Sequence, residues 1–253
     1  MSFIPFDQSA DQYSLPDSFK LGDTPHPLAM HAAADLQEYL KTQTDWEHNF
    51  GLTKGQKGAV IGKMFGVLVV RNAKDEIGYL AAFSGKLAGG NEHTKFVPPV
   101  FDGLSEQSFV NEGMKMLTMI NLKIKALEEV NSARSEEQIK LLKLERRQHS
   151  NLLQHQIFDH YFFLNQAGEK KSLTNIFKKA EYKNPPSGAG ECAGPKLLQY
   201  AFQHKMTPIA LTEFWWGLSP KSDQWKHGYF YPCCKEKCEP IFDHMLDGLD
   251  QRI

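Results

Sequence analysis

Two apolar runs with a turn between them constrain this chain more than any other feature. Met64-Phe65-Gly66-Val67-Leu68-Val69-Val70 and Ile77-Gly78-Tyr79-Leu80-Ala81-Ala82-Phe83 are made of β-branched, aromatic and small residues, and Asn72 to Glu76 supply turn chemistry. The two runs predict a β-hairpin. Successive residues of a strand point to opposite faces, and here successive residues are apolar. The pattern excludes a sheet with one wet face, so helices or a second layer must cover both sides.

Several segments can supply that cover. Pro27 opens a helix, because proline suits the first turn, and Leu28, Ala32, Leu36 and Leu40 recur every four residues as one buried stripe. Before it, residues 1–25 are rich in proline, aspartate and serine and read as an irregular arm. Residues 84–104 hold Gly85, Gly89, Gly90, Pro98, Pro99 and Gly103 and read as loop. Between Glu106 and Phe163 there is no proline and a single glycine, so helix can run almost unbroken. Leu117, Ile120, Ile124 and Leu127 step by three and four, the seam of a coiled coil. After a break near Asn131-Ser132, a second arm starts with Ile139 and Leu142, and its seam then meets Arg146 and His149. The expectation is a projecting antiparallel helical hairpin with arms of about 24 residues, roughly 36 Å each. After the linker Asn184 to Gly190 come a helix from Pro195 to His204, a strand from Pro208 to Trp216 and a closing helix from Glu239 to Leu249. This alternation predicts an α/β domain, a mixed sheet flanked by helices. Along the chain it divides into the arm 1–25, a first part of the α/β domain 26–105, a helical hairpin insertion 106–163 and a second part 164–253.

Charge narrows the function classes. With 29 basic and 30 acidic residues the formal net charge is −1, which argues against a chain-wide electrostatic grip on nucleic acid and leaves room for a local basic face. No apolar run approaches the roughly 20 residues that cross a bilayer. The first residues lack the basic and apolar regions of a secretory signal, so a cytoplasmic location is expected, with no membrane partner.

Several strings, in order along the chain, resemble the region that precedes the catalytic domain in a subset of RluA-type RNA pseudouridine synthases. They include Pro25-His26-Pro27-Leu28, Gly62 to Val70, Gly78 to Gly85, Phe96-Val97-Pro98-Pro99-Val100, Gly188 to Ala193, Pro195 to Ala201, Glu213 to Gly217 and Phe230-Tyr231-Pro232. The resemblance runs from about residue 20 to residue 249. It implies an accessory region that helps place a C-terminal pseudouridine synthase catalytic domain on structured, ribosomal RNA. That family's chemistry uses an Arg-Leu-Asp motif, and these 253 residues contain none, so no catalytic residue is expected here. The chain would then be an accessory region or a stand-alone relative.

The four cysteines, Cys192, Cys233, Cys234 and Cys238, all fall in the last quarter of the sequence at two expected helix starts, where the helix dipole favours thiolates. Zinc, held by Cys192, Cys234 and Cys238 with a fourth ligand such as Cys233 or His227, stands beside plain burial as a reading of this cluster. The arrangement also resembles zinc nucleoside deaminases, which carry a His or Cys followed by Ala-Glu and later a Pro-Cys-x-x-Cys. It departs from them in two ways. The acid/base glutamate position is Gly194, and the cysteine pair is spaced Cys234-x-x-x-Cys238. A zinc-dependent deaminase-like enzyme is therefore the alternative function, and a protein-binding scaffold built on the hairpin is another.

On the second helical arm, Lys140, Lys143, Arg146 and Arg147 are the candidate RNA contacts; the competing reading is a solvated face offset by Glu136, Glu137 and Glu145. Trp215-Trp216 with Tyr229, Phe230 and Tyr231 offer either a base-stacking platform or core. His26, His31, His48 and His93 show no ligand spacing, and Gly85, Gly89 and Gly90 lack the Gly-Lys-Ser/Thr of a phosphate loop.

Overall fold

The computed structural model describes residues 2–103, 108–130, 133–178 and 184–248. The expected break at Asn131-Ser132 and the start of the hairpin at Glu106 lie outside the described residues, and the closing helix, expected to run to Leu249, ends at Met245 with turn following. In order, the elements are β1 (Ile4–Pro5), a 3-10 turn (Gln8–Gln12), α1 (Pro27–Thr42), β2 (Lys63–Arg71), β3 (Ile77–Phe83), α2 (Phe109–Val130) and α3 (Ala133–His160). Then follow β4 (Phe162–Leu164), β5 (Lys170–Ser172), α4 (Leu173–Lys178), α5 (Ala193–Gln203), β6 (Thr207–Trp216), β7 (Phe230–Tyr231) and α6 (Glu239–Met245). They form two compact units, Met1–Val100 with Phe162–Ile253, and Phe101–Tyr161.

The first unit is mixed α/β, built on a five-stranded sheet in the order β1-β3-β2-β6-β7. The hairpin turn is tied by Asn72, whose Oδ1 accepts from the N–H groups of Lys74 and Glu76 at 2.9 and 3.0 Å, while Asp75 takes a left-handed φ of 66°. Alternate residues of β2 serve opposite faces. Phe65, Val67 and Val69 join one core with Leu28, Ala29, Ala32, Ala33, Leu36 and Leu40 of α1 and with Phe214 and Trp216 of β6. The small residues of α1 let its axis lie close to the strands. His26, a residue with no ligand spacing, is the cap of this helix; its Nδ1 accepts from the Leu28 N–H at 3.2 Å. On the opposite face Gly66 lies under α5, where a Cβ would sit 3.0 Å from the Ala193 Cβ and 3.2 Å from a Leu197 methyl. Both faces are covered, as the continuous apolar runs require.

The sheet corrects the expectation of mixed strands, because every neighbouring pair is antiparallel. Strand–helix alternation usually signals parallel neighbours. Here β6 does run in the direction of β3, but β2 lies between them and is antiparallel to both. A long connection from β3 to β6 allows the strand to enter on the far side of β2. A smaller sheet, β4 with β5, was not legible in the sequence.

In the second unit α2 and α3 lie antiparallel: Gly113 faces Leu153, Asn121 accepts from Arg146 at 2.8 Å, and Glu128 meets Lys143 at 3.3 Å. Ile120, Ile124, Ser135, Leu153 and Phe158 are buried. A Cβ on Gly113 would come within 2.7 Å of the Leu153 methyls, so this glycine lets the leucine close the seam. Phe101, Phe109, His160 and Tyr161 form an aromatic cluster, with Phe109 and His160 ring centroids 4.7 Å apart. Among the described residues no helix is long and apolar enough to cross a membrane.

Candidate metal centre

Three cysteines from two helix starts converge in the α/β unit. Cys192 occupies the N-cap position of α5 with extended backbone angles, φ −71° and ψ 155°, and its side chain makes no capping bond. Cys238 is the N-cap of α6 and likewise caps nothing with its sulfur. Cys234 stands one turn earlier, and its carbonyl accepts from the N–H groups of Cys238 and Glu239 at 3.1 and 3.2 Å. That turn places Cys234 and Cys238 on one side, with their sulfurs 3.3 Å apart. All three Sγ atoms lie within 4.8 Å of one another. Tetrahedral zinc with bonds of about 2.3 Å holds its sulfurs roughly 3.8 Å apart, so the cluster fits an ion of that size with small adjustments.

Each thiol's acidity is set by the other two. Hydrogen bonds from Cys192 and Cys238 hold the Cys234 thiol well below its usual range. The contact with Cys234, and then burial, push Cys192 up against the opposing pull of Cys238, and the contacts with Cys192 and Cys234, then burial, push Cys238 up. The three sulfurs are close enough to share one cation, and a metal that bound there would displace the remaining protons from its thiols.

Neither proposed fourth ligand joins the cluster. Cys233, pushed up to about 11 by burial and then by the charges of Glu213 and Cys234, lines a cleft with Leu21, Asp23, Tyr231 and Lys235. His227 is used elsewhere: its Nδ1 accepts from the Gly217 N–H at 3.1 Å and its ring lies against Trp216.

Position 194 has no space for the deaminase-type glutamate. A Cβ there would lie 2.5 Å from the Phe242 ring. A different carboxylate lies beside it. Glu213 of β6 is 5% exposed, and its Oε1 accepts from the Gly194 N–H at 3.0 Å. Burial raises its carboxyl to about 7 against the opposing pull of that N–H. The sequence reading does not single out Glu213, although one acidic residue inside the apolar strand Ile209-Ala210-Leu211-Thr212-Glu213-Phe214-Trp215-Trp216 is a visible signal. Lys196 is not singled out either. It is 3% exposed on α5, donates to the carbonyls of Phe83 and Gly85 at 3.1 and 3.3 Å, and pairs with Glu191 at 3.5 Å. Those bonds tie the loop after β3 to α5, and burial lowers the lysine's pKa.

The remaining candidates are placed as follows. Lys140, Lys143, Arg146 and Arg147 are exposed on neighbouring turns of α3. Lys143 and Arg146 reach across to Glu128 and Asn121 of α2, which occupies two of the four. Trp216 is core, at 3% exposure, whereas Trp215 stacks on Trp225 with centroids 5.4 Å apart and Trp225 meets Tyr231 at 4.7 Å. His48 and His93 bond the carbonyls of Ile61 and Leu87, and His31 packs between Phe6 and Tyr13. Comparison with family models, curated proteins and solved structures finds no match to the chain.

Proposed function

We propose that this chain is a zinc-stabilised accessory module of an RluA-type RNA pseudouridine synthase, acting in the cytoplasm and helping a C-terminal catalytic domain engage structured ribosomal RNA. The observation that carries the metal part is the convergence of Cys192, Cys234 and Cys238 within 4.8 Å. Soft thiolates select zinc over magnesium or calcium, and a thiolate-rich site of this kind is typically structural. The antiparallel hairpin, the strand β6 beside β2 and the two cysteine-bearing helix starts support a deaminase-like arrangement. Phe242 against Gly194 supports a module without deaminase chemistry, because no side chain fits where the proton-shuttling glutamate belongs.

The RNA part rests on the sequence resemblance and on the exposed basic residues of α3. Of these, Lys140 and Arg147 are the better phosphate contacts, since Lys143 and Arg146 already have partners on α2. Replacing all four with alanine should weaken binding to ribosomal RNA fragments and flatten its salt dependence by roughly one counterion per lost phosphate contact. Titrations at two salt concentrations decide it. Unchanged affinity and slope would remove α3 from the account. The second reading, a protein-binding scaffold, would then lead, because Met116, Met119, Leu122, Val130, Leu141 and Leu144 expose apolar surface on the same unit.

A further inference from the structure

We propose that Glu213 is the positioning residue of the metal centre: its carboxylate caps α5 in place of Cys192, which leaves the Cys192 sulfur free to meet Cys234 and Cys238. The inference rests on the zinc reading and adds to it a residue outside the ligand set. An N-cap side chain ordinarily turns back to accept from the N–H of the second or third helical residue. Cys192 does not do so. Gly194, the second residue of α5, gives its N–H to Glu213 Oε1 instead, across 19 positions of sequence. Had Cys192 made that bond, its sulfur would point into the first turn of α5 and away from the other two.

The carboxylate lies beside two bare backbone positions whose tight packing is against α5 and Phe242. Gly66 on β2 has no side chain, and a Cβ there would lie 3.4 Å from the Glu213 Cγ. Gly194 is equally bare, and its Cβ would fall 3.6 Å from Glu213 Oε1 and into the Phe242 ring. Two glycines on two elements thus bracket one glutamate. A buried carboxylate is costly without hydrogen bonds, and a helix N-terminus is where the backbone best supplies them. The position of Glu213 in an apolar strand therefore has a physical reason, and that reason ends at Cys192.

The test uses the full chain carrying Glu213→Ala, Glu213→Asp, Glu213→Gln, Cys192→Ala, Cys238→Ser and the double variant Glu213→Ala/Cys192→Ala. Zinc affinity is read by chelator competition, and cobalt substitution reports thiolate-to-metal charge transfer. Glu213→Gln retains an acceptor oxygen at full reach and should bind zinc as the unaltered chain does. Glu213→Ala and the shorter Glu213→Asp should lose about 10- to 100-fold in affinity, the usual effect of removing an outer-shell partner. Their cobalt bands should fall from the intensity of three thiolates to that of two. In the Cys192→Ala background, Glu213→Ala should cost nothing further, because the two residues act as one unit. Glu213→Asp keeps the result readable if the alanine variant does not fold. Full affinity and three-thiolate intensity in Glu213→Asp, or a Glu213→Gln variant as impaired as it, would overturn the proposal. If Cys238→Ser loses zinc and the Glu213 variants do not, only the role of Glu213 fails; if the unaltered chain takes up no zinc, the metal reading fails and this proposal with it.

Discussion

The α/β unit and the helical hairpin use similar apolar side chains, but they bury them to very different extents. In β2 the residues from Phe65 to Val70 are all buried, because α1 covers one face and α5 the other. In α2 the buried residues are Gly113, Ile120 and Ile124, while Met114, Met116, Met119 and Leu122 are between 43 and 60% exposed. A sheet between two helical layers has two interfaces; a pair of helices has one seam. The difference matters for function, since the layered unit is the one that brings the three cysteines together, whereas the hairpin leaves much of its apolar surface exposed.

Zinc removal tests this contrast most severely. Chelation of the metal, or Cys238→Ser, should destabilise the α/β unit by about 4 kcal/mol where zinc stands a thousandfold above its dissociation constant. Amide exchange in α2 and α3 should stay unchanged, because the hairpin contains no cysteine. Loss of protection in both units together would show that they do not behave as separate bodies.

A pH titration of metal-free protein sharpens the same point. The Glu213 carboxyl is raised from 4.5 to about 7 by burial. Well below 4.5 it is neutral in both folded and unfolded chains, and its contribution to stability is fully present. As pH rises toward 7 the unfolded chain ionises freely while the folded one resists, so that contribution is lost, by roughly 3 kcal/mol across the window. Urea unfolding at pH 5 and pH 8 should show this decline as a change in the stability difference between the unaltered chain and Glu213→Gln. That difference cancels the opposite contributions of the lowered Cys234 thiol and of the lowered histidines.

Leu153→Ala should cost about 2 to 3 kcal/mol, the lower part of the range for a buried leucine, because one seam supports it. The effect should appear in the helical signal of α2 and α3 and leave zinc affinity untouched. The smallest effect expected is a gain. His149 lies in the α3 seam with its Nε2 buried and unpartnered, so His149→Leu should stabilise the hairpin by about 1 kcal/mol in thermal unfolding. A neutral or destabilising result would show that the seam tolerates the imidazole better than its packing suggests.

Much of the α/β unit was legible because its signals are local. The apolar runs gave β2 and β3 to within a residue or two, the four-residue spacing after Pro27 gave α1, and the cysteines marked the starts of α5 and α6. The short strands β1, β4, β5 and β7 were not legible, because two or three residues carry too little pattern to separate from loop. With the 3-10 turn, β1 corrects the reading of residues 1–25 as a wholly irregular arm.

What the sequence alone determined was the type of each long element and the clustering of thiols at helix starts, since periodicity and capping act within a few residues. Beyond the β2–β3 hairpin, only the tertiary structure decided which strands became neighbours, and it made those pairs antiparallel too. It also decided that Cys192 meets Cys234 and Cys238, that Cys233 and His227 do not, and that Glu213 rather than position 194 supplies the carboxylate at the first turn of α5. These outcomes depend on which of several compatible faces meet across 19 to more than 100 residues of chain. That choice is made by packing both faces of one sheet at once, with glycines at Gly66 and Gly194 where a side chain would have kept the layers apart.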